Sequence, residues 1–421
     1  MINKNIFFLA FLVLSVNSIF AQSIVIKNAT IYNGIDDNSF SGNILIEDGI
    51  IKKVSKSLIQ GDKVIDVDGK IVTPGFIASG TEIGIVEIGS LSVTRDDESN
   101  IYNIGFSIHD AFNPNSTLIP WNRSNGITSA ITLPRNTSSP IGGLGSFFVL
   151  DGNLDVDSKQ DMVMIGRIGG SSSSSRSEML SLTDDILSFA STISAKDIRT
   201  NSDIDSLIDS SSIADYLELK PRDVRALYKL VNENMPLMIN SNRASDILKL
   251  IELKNKYNLN LIIMGAQEAT LVSRQITDSK IPLVVNPINN IPNSFDELAA
   301  NKNLSSRLEN AGVLLMFNYG SHNSHLMRQG AGIAVANGMS YGGAIKALTS
   351  NVASSFNLEE RGSISPGKAA DLVIWEADPL EPSSMPEKVF INGVDIDLTT
   401  RSTRLRDRYT KNLDKPNTYR D

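Results

Sequence analysis

The sequence predicts an α/β protein in which a (β/α)8 TIM-type barrel is inserted into a small β-sandwich built from both chain ends. Short runs with period-two alternation and Asp-Gly or Asn-Gly punctuation open the chain and return only near its end. Between them, apolar strand-like runs alternate with helical patterns, as in a parallel sheet covered by helices. The 421 residues, 41% of them hydrophobic, suffice for one large core and a smaller one.

The chain begins with Lys4 ahead of the apolar run Ile6-Phe7-Phe8-Leu9-Ala10-Phe11-Leu12-Val13-Leu14 and then Ile19-Phe20-Ala21-Gln22. That is the build of a signal peptide over residues 1–21, and it implies a periplasmic or secreted protein. The sandwich is expected from residues 22–72 and 363–400. Its strands are Ile24-Val25-Ile26-Lys27, Thr30-Ile31-Tyr32, Asn43-Ile44-Leu45-Ile46-Glu47, Ile50-Ile51-Lys52-Lys53-Val54 after the turn Asp48-Gly49, and Lys63-Val64-Ile65-Asp66. Ala370-Asp371-Leu372-Val373-Ile374-Trp375 and Val389-Phe390-Ile391-Asn392-Gly393-Val394 complete it.

The barrel is expected over residues 73–362, with strands at 77–83, 128–133, 162–168, 237–240, 259–264, 282–286 and 313–318. Helices are expected at 221–233, opened by Pro221, at 244–257 and at 341–348. Gly142-Gly143-Leu144-Gly145 reads as a turn region, because no Lys-Ser or Lys-Thr follows to make a phosphate loop. The Ser-rich stretch at 171–177 reads as a flexible loop on the face where barrel enzymes carry their sites. Residues 401–421 form a basic tail with Arg401, Arg404, Arg406 and Arg408, expected to be disordered or to clamp an acidic surface.

A net charge of −8 gives no general attraction to nucleic acid or anionic lipid. After leader cleavage no stretch approaches about 18 uninterrupted apolar residues, so no membrane partner is expected. Without Cys, neither disulfides nor thiolate chemistry is available.

The stretch Val72-Thr73-Pro74-Gly75-Phe76-Ile77-Ala78-Ser79-Gly80-Thr81-Glu82 resembles the opening barrel strand of metal-dependent amidohydrolases, the imidazolonepropionase-like group in particular. Gly362-Ser363-Ile364-Ser365-Pro366-Gly367-Lys368-Ala369-Ala370-Asp371-Leu372-Val373 resembles the same family's C-terminal signature. Further similarity lies in Gly126-Ile127-Thr128 and in Ala331-Gly332-Ile333-Ala334-Val335-Ala336-Asn337-Gly338. The resemblance implies a divalent metal held at the strand ends and hydrolysis of non-peptide C–N bonds.

The family's His-x-His pair falls on Gly80 and Glu82, its fifth-strand His on Asn240 and its sixth-strand His on Met264. Its last-strand Asp falls at Gly320, and Lys220 is a helix-start residue rather than a substitute ligand. A neutral amide and a thioether are poor ligands for a borderline divalent metal. Zinc asks for three or four convergent donors, and catalysis asks for a base beside the water.

The chain has three His, so a relocated site has few candidates. His322 and His325 follow the last strand and, with Glu82, are the only combination for a displaced metal centre. His109 beside Asp110 reads as a surface pair. Arg95-Asp96-Asp97-Glu98 reads as a solvated acidic loop bordering the mouth, although paired acids can do acid–base work.

The sequence therefore predicts an exported amidohydrolase-family protein without catalysis or cofactor, binding a small polar ligand or partnering an active relative in a homo- or hetero-oligomer. The alternative is a hydrolase of amides or cyclic amides, with zinc at the displaced site.

Overall fold

The computed structural model describes residues 23–135, 137–170 and 174–411. Residues 1–22, which contain the expected leader 1–21, residues 171–173 of the Ser-rich stretch and residues 412–421 of the tail lie outside the described residues.

Sixteen strands form two sheets among the described residues. From the N-terminal end come β1 (Ile24–Ile31), β2 (Phe40–Glu47), β3 (Ile50–Ser55), β4 (Lys63–Asp66) and β5 (Ile71–Pro74). The barrel comprises β6 (Phe76–Thr81), β7 (Ile127–Thr132), β8 (Ile141–Val149), β9 (Ser158–Arg167), β10 (Leu237–Ser241), β11 (Leu261–Gly265), β12 (Leu283–Val285) and β13 (Leu315–Phe317). The far end adds β14 (Leu372–Trp375), β15 (Pro386–Ile391) and β16 (Val394–Asp395).

The two chain ends pair into one sheet, ordered β16-β15-β14-β5-β1-β2-β3, with β4 on the flank of β1. Alternation places Ile26, Ile44, Ile46, Ile51, Val72, Leu372, Ile374 and Phe390 in a single buried cluster. Its hairpins turn on Asp48-Gly49 and Asn392-Gly393, all four at positive φ, as a two-residue turn of that hand requires. These turns, from opposite ends of the chain, press together: a Cβ on Gly49 would stand 2.8 Å from Asn392 O. The C-terminal signature supplies the stitching. Gly367 N donates to Ile51 O at 2.8 Å, Ala370 N to Gly49 O at 2.8 Å, and Gly75 N to Asp371 O at 2.9 Å.

The handover from sheet to barrel explains the opening stretch. Trp375 Nε1 donates to Thr73 Oγ1 at 2.9 Å, and its ring packs on Phe76. Residue 75 must be glycine, since a Cβ there would lie 2.1 Å from Thr128 Oγ1. These contacts are structural, so the motif is held by packing whatever its chemistry.

The second sheet is ordered β13-β12-β11-β10-β9-β8-β7-β6 and nearly closes on itself. At the seam Ser79 Oγ donates to Phe317 O at 2.9 Å. The strands are parallel except β8, which runs antiparallel to both neighbours. This strand corrects the turn read at residues 142–145, because Ile141–Val149 is buried throughout. Its glycines serve close backbone approach and an irregular register with β9 rather than reversal. A Cβ on Gly145 would lie 2.6 Å from Leu133 Cδ2.

Helices Pro221–Asn232, Ala244–Tyr257 and Tyr341–Leu348 stand where sequence periodicity places them. Of the two expectations for the tail, disorder does not hold over its described part: Arg401–Thr410 is a helix, started by a capping box between Thr400 and Thr403.

Candidate functional site

The C-terminal ends of the barrel strands gather the positions singled out above. Gly80 adopts φ +139°, and a Cβ there would lie 3.2 Å from Leu133 Cδ1, 3.3 Å from Asn318 Nδ2 and 3.9 Å from Met264 Sδ. Asn318 Nδ2 donates to Met264 Sδ at 3.4 Å. A methyl, an amide and a thioether thus fill the point where ligands from three strands would meet. Beyond β13, Gly320 sits in an open turn with nothing within 4 Å of a Cβ. The chain there is tied back by Thr81 Oγ1 donating to Ser321 O at 2.8 Å.

Glu82 faces the rim and is already engaged. Arg95 Nη2 donates to its Oε1 at 2.8 Å, and His322 Nδ1 stands 3.5 Å from Oε2. The same guanidinium donates through Nε to Asp97 Oδ1 at 3.1 Å and through Nη1 to Gly89 O at 2.9 Å. Asp97 is fully buried and also meets Arg135 at 3.4 Å. Hydrogen bonding to Asp97 is the largest influence on Arg95, and with Glu82 it outweighs burial and raises the guanidinium pKa. Arg95 and Asp97 are therefore an ion-paired support of the mouth, which corrects the solvated-loop reading at those two residues, while Asp96 and Glu98 stay exposed. Sequence reasoning missed this network, although an arginine opening an acidic run was a visible sign of internal pairing.

His325 does not join Glu82 and His322. It precedes the helix Leu326–Ala336, and its Nδ1 accepts from Trp121 Nε1 at 3.1 Å. Asn122 holds the same turn, donating to His322 O at 3.2 Å and accepting from His325 N at 3.0 Å. His109 lies elsewhere, in the short turn His109–Ala111, with Nε2 at 3.0 Å from Ser158 Oγ at the start of β9 and its ring stacked on Phe148. Lys220 caps the helix Pro221–Asn232.

Beside the filled centre lies an open cavity of 510 Å³, lined by Arg167, Arg176, Asn240, Asn242, Phe295 and Asp296 among others. Asn240, at the end of β10, makes no side-chain hydrogen bond among the described residues, and the buried Oδ1 of Asn242 has no partner. Asn242 Nδ2 donates to Glu297 Oε1 at 2.9 Å. Arg176 bridges Asp246, at 2.9 Å, and Asp296, so the loop carrying Phe295 is anchored to the rim. The loop at 294–297 carried no legible motif.

A divalent metal does not fit this set. Among the described residues no group of three or more His, Cys, Asp or Glu converges on a metal-sized point. At the mouth only Glu82 and His322 are adjacent, and Glu82 is neutralised by Arg95. Three or four convergent donors are needed.

A model described as the amidohydrolase family matches residues 315–394, which run from the last barrel strand into the closing hairpin. The chain is 40% identical over 77 residues to a dihydropyrimidinase of Dictyostelium discoideum, covering 18% of this chain and 15% of that protein. It is 36% identical over 69 residues to a 5-methylthioadenosine/S-adenosylhomocysteine deaminase of Pyrococcus furiosus, covering 16% of each. The chain thus spans well under a fifth of the length of these curated relatives. An amidohydrolase structure from Thermotoga maritima matches at TM-score 0.75 and 24% identity, over 89% of this chain and 99% of that one. An L-hydantoinase from Arthrobacter aurescens matches at TM-score 0.51 and 12% identity, over 89% and 96%. The amidohydrolase family model thus matches the C-terminal segment, and the barrel and two-ended sheet are the fold of solved amidohydrolase structures.

Proposed function

We propose that this is an exported, non-catalytic amidohydrolase-fold protein whose barrel mouth binds a small polar ligand, alone or as the partner of an active relative. The observation that carries the reading is the filled centre: Leu133, Asn318 and Met264 pack around Gly80, and the remaining carboxylate, Glu82, is held by Arg95. An acid committed to a guanidinium is a poor base, and an amide–thioether contact offers no water-activating group. The adjoining cavity keeps what binding requires. The side-chain amide of Asn240 and the unpaired Oδ1 of Asn242 can exchange hydrogen bonds with a polar ligand, and Phe295 supplies an apolar edge. Export rests on the leader-like residues 1–21; among the described residues no helix is long and apolar enough to cross a membrane.

A second reading is favoured by one contact. His322 Nδ1, buried and without a hydrogen bond, stands 3.5 Å from Glu82 Oε2 and would make an imidazole–carboxylate couple for hydrolysis of amides or cyclic amides. One experiment separates the two. Protein equilibrated with zinc, dialysed and analysed for metal should retain far less than one equivalent and should leave a panel of amides and lactams intact. Stoichiometric zinc, or turnover abolished by Glu82→Ala and His322→Ala, would establish the hydrolase instead.

A further inference from the structure

We propose that the helix Arg401–Thr410 is a docking arm that binds the acidic face of the helix pair Asn201–Asp209 and Ser212–Tyr216 on a second copy of this chain.

Among the described residues no ion pair or side-chain hydrogen bond ties the arm beyond Thr403 to the rest of the chain. None of its residues is buried, and Tyr409 is 70% exposed. It carries Arg401, Arg404, Arg406, Arg408 and, just beyond, Lys411, against the single carboxylate of Asp407, which pairs with Arg406 at 2.8 Å. A ten-residue helix whose only large apolar groups are Leu405 and Tyr409, with no i,i+4 ion pair among the described residues, is marginal in water, so a surface that covers it would fix it. Its foot is secured: Thr400 is buried and caps Thr403 N at 3.1 Å. One stripe holds Arg401, Leu405, Arg408 and Tyr409, two apolar groups flanked by guanidinium groups.

The complement is present on the molecule. Residues 201–218 hold Asp203, Asp205, Asp209, Asp215 and Glu218 and no Lys or Arg, and all five acids are exposed. Among the described residues none of Asp205, Asp209, Asp215 and Glu218 forms an ion pair. Between this helix pair and the helix Arg176–Thr192 lies a groove of 440 Å³ lined by Phe189, Leu207, Ile213 and Asp185. Apolar groups within and acids outside repeat, in opposite charge, the stripe of the arm. The chain's net charge of −8 contains this cationic arm, so the rest of its surface is more acidic still and favours the arm of another copy.

Sedimentation equilibrium of the mature full chain tests this. Self-association is expected at about 50 mM salt and should be lost at about 500 mM, where screening is several-fold stronger. Arg404→Glu with Arg408→Glu should weaken association at least tenfold, as should Asp205→Lys with Asp209→Lys, each with an unchanged thermal midpoint. Combining both pairs swaps the charges and should restore it. A monomeric wild type at low salt, reversals without effect, or no recovery in the combined protein would overturn the proposal. So would an arm that binds phosphatidylglycerol vesicles while the chain stays monomeric.

Discussion

The imidazole of His325 accepts a hydrogen bond from Trp121 and is pushed down to about 4, first by burial and then by the neighbouring Arg328 and His322. Its unfolded value is near 6.5. Between the two values the unfolded chain binds a proton that the folded chain refuses, so this group's contribution to stability falls as pH drops from 6.5 towards 4. His325→Gln keeps an acceptor for Trp121 and cannot titrate. The thermal midpoint of that variant should fall less on acidification than the wild type's, by on the order of 2–4 °C. Identical slopes would reject His325 as the source. Residue identity also decided what the sequence could say about the mouth. Gly80, Asn240 and Met264 lack ligand chemistry wherever their side chains point, and that is readable directly. The grip of Arg95 on Glu82 and Asp97 is not, because a charged run carries no record of which members become buried.

Among the barrel strands, β8 is the one that sequence reading lost. The seven other barrel strands run in one direction, and each contains a short buried stretch with apolar residues that marks it in the sequence. In β8 that stretch is broken by Gly142, Gly143 and Gly145, residues that ordinarily punctuate turns. Their meaning is steric and belongs to partners distant in sequence. A Cβ on Gly145 would also meet Thr132 O and Val163 Cγ1 at 2.9 Å each, and neither backbone nor buried valine can easily yield. Gly145→Ala should therefore destabilise the fold by about 1–3 kcal/mol, read as a lower denaturant midpoint at unchanged slope. A midpoint equal to the wild type's would show that the strand has room to spare. The helix Arg401–Thr410 was missed for the opposite reason, since its composition resembles a disordered tail and only the Thr400 cap marks its start.

At the scale of the molecule, Trp375 joins the two bodies. It is fully buried, donates to Thr73 in β5, packs on Phe76 in β6, and has the Arg328 guanidinium over its ring at 5.2 Å. The sheet and the barrel should consequently unfold as one unit. In a Trp121→Phe background, the fluorescence of Trp375 and the far-ultraviolet dichroism should give coincident denaturant transitions; two separated midpoints would show independent domains. The pairing of β5 with β14 also sets a timetable. Ribosomes deliver β1 to β5 first and β14 to β16 last, so one edge of the early strands stays open while the entire barrel is synthesised. The native sheet cannot close before Leu372 and its neighbours have emerged. Completion of the fold thus waits on β14, and until it arrives the open edge of β5 is the place where a wrong strand could pair.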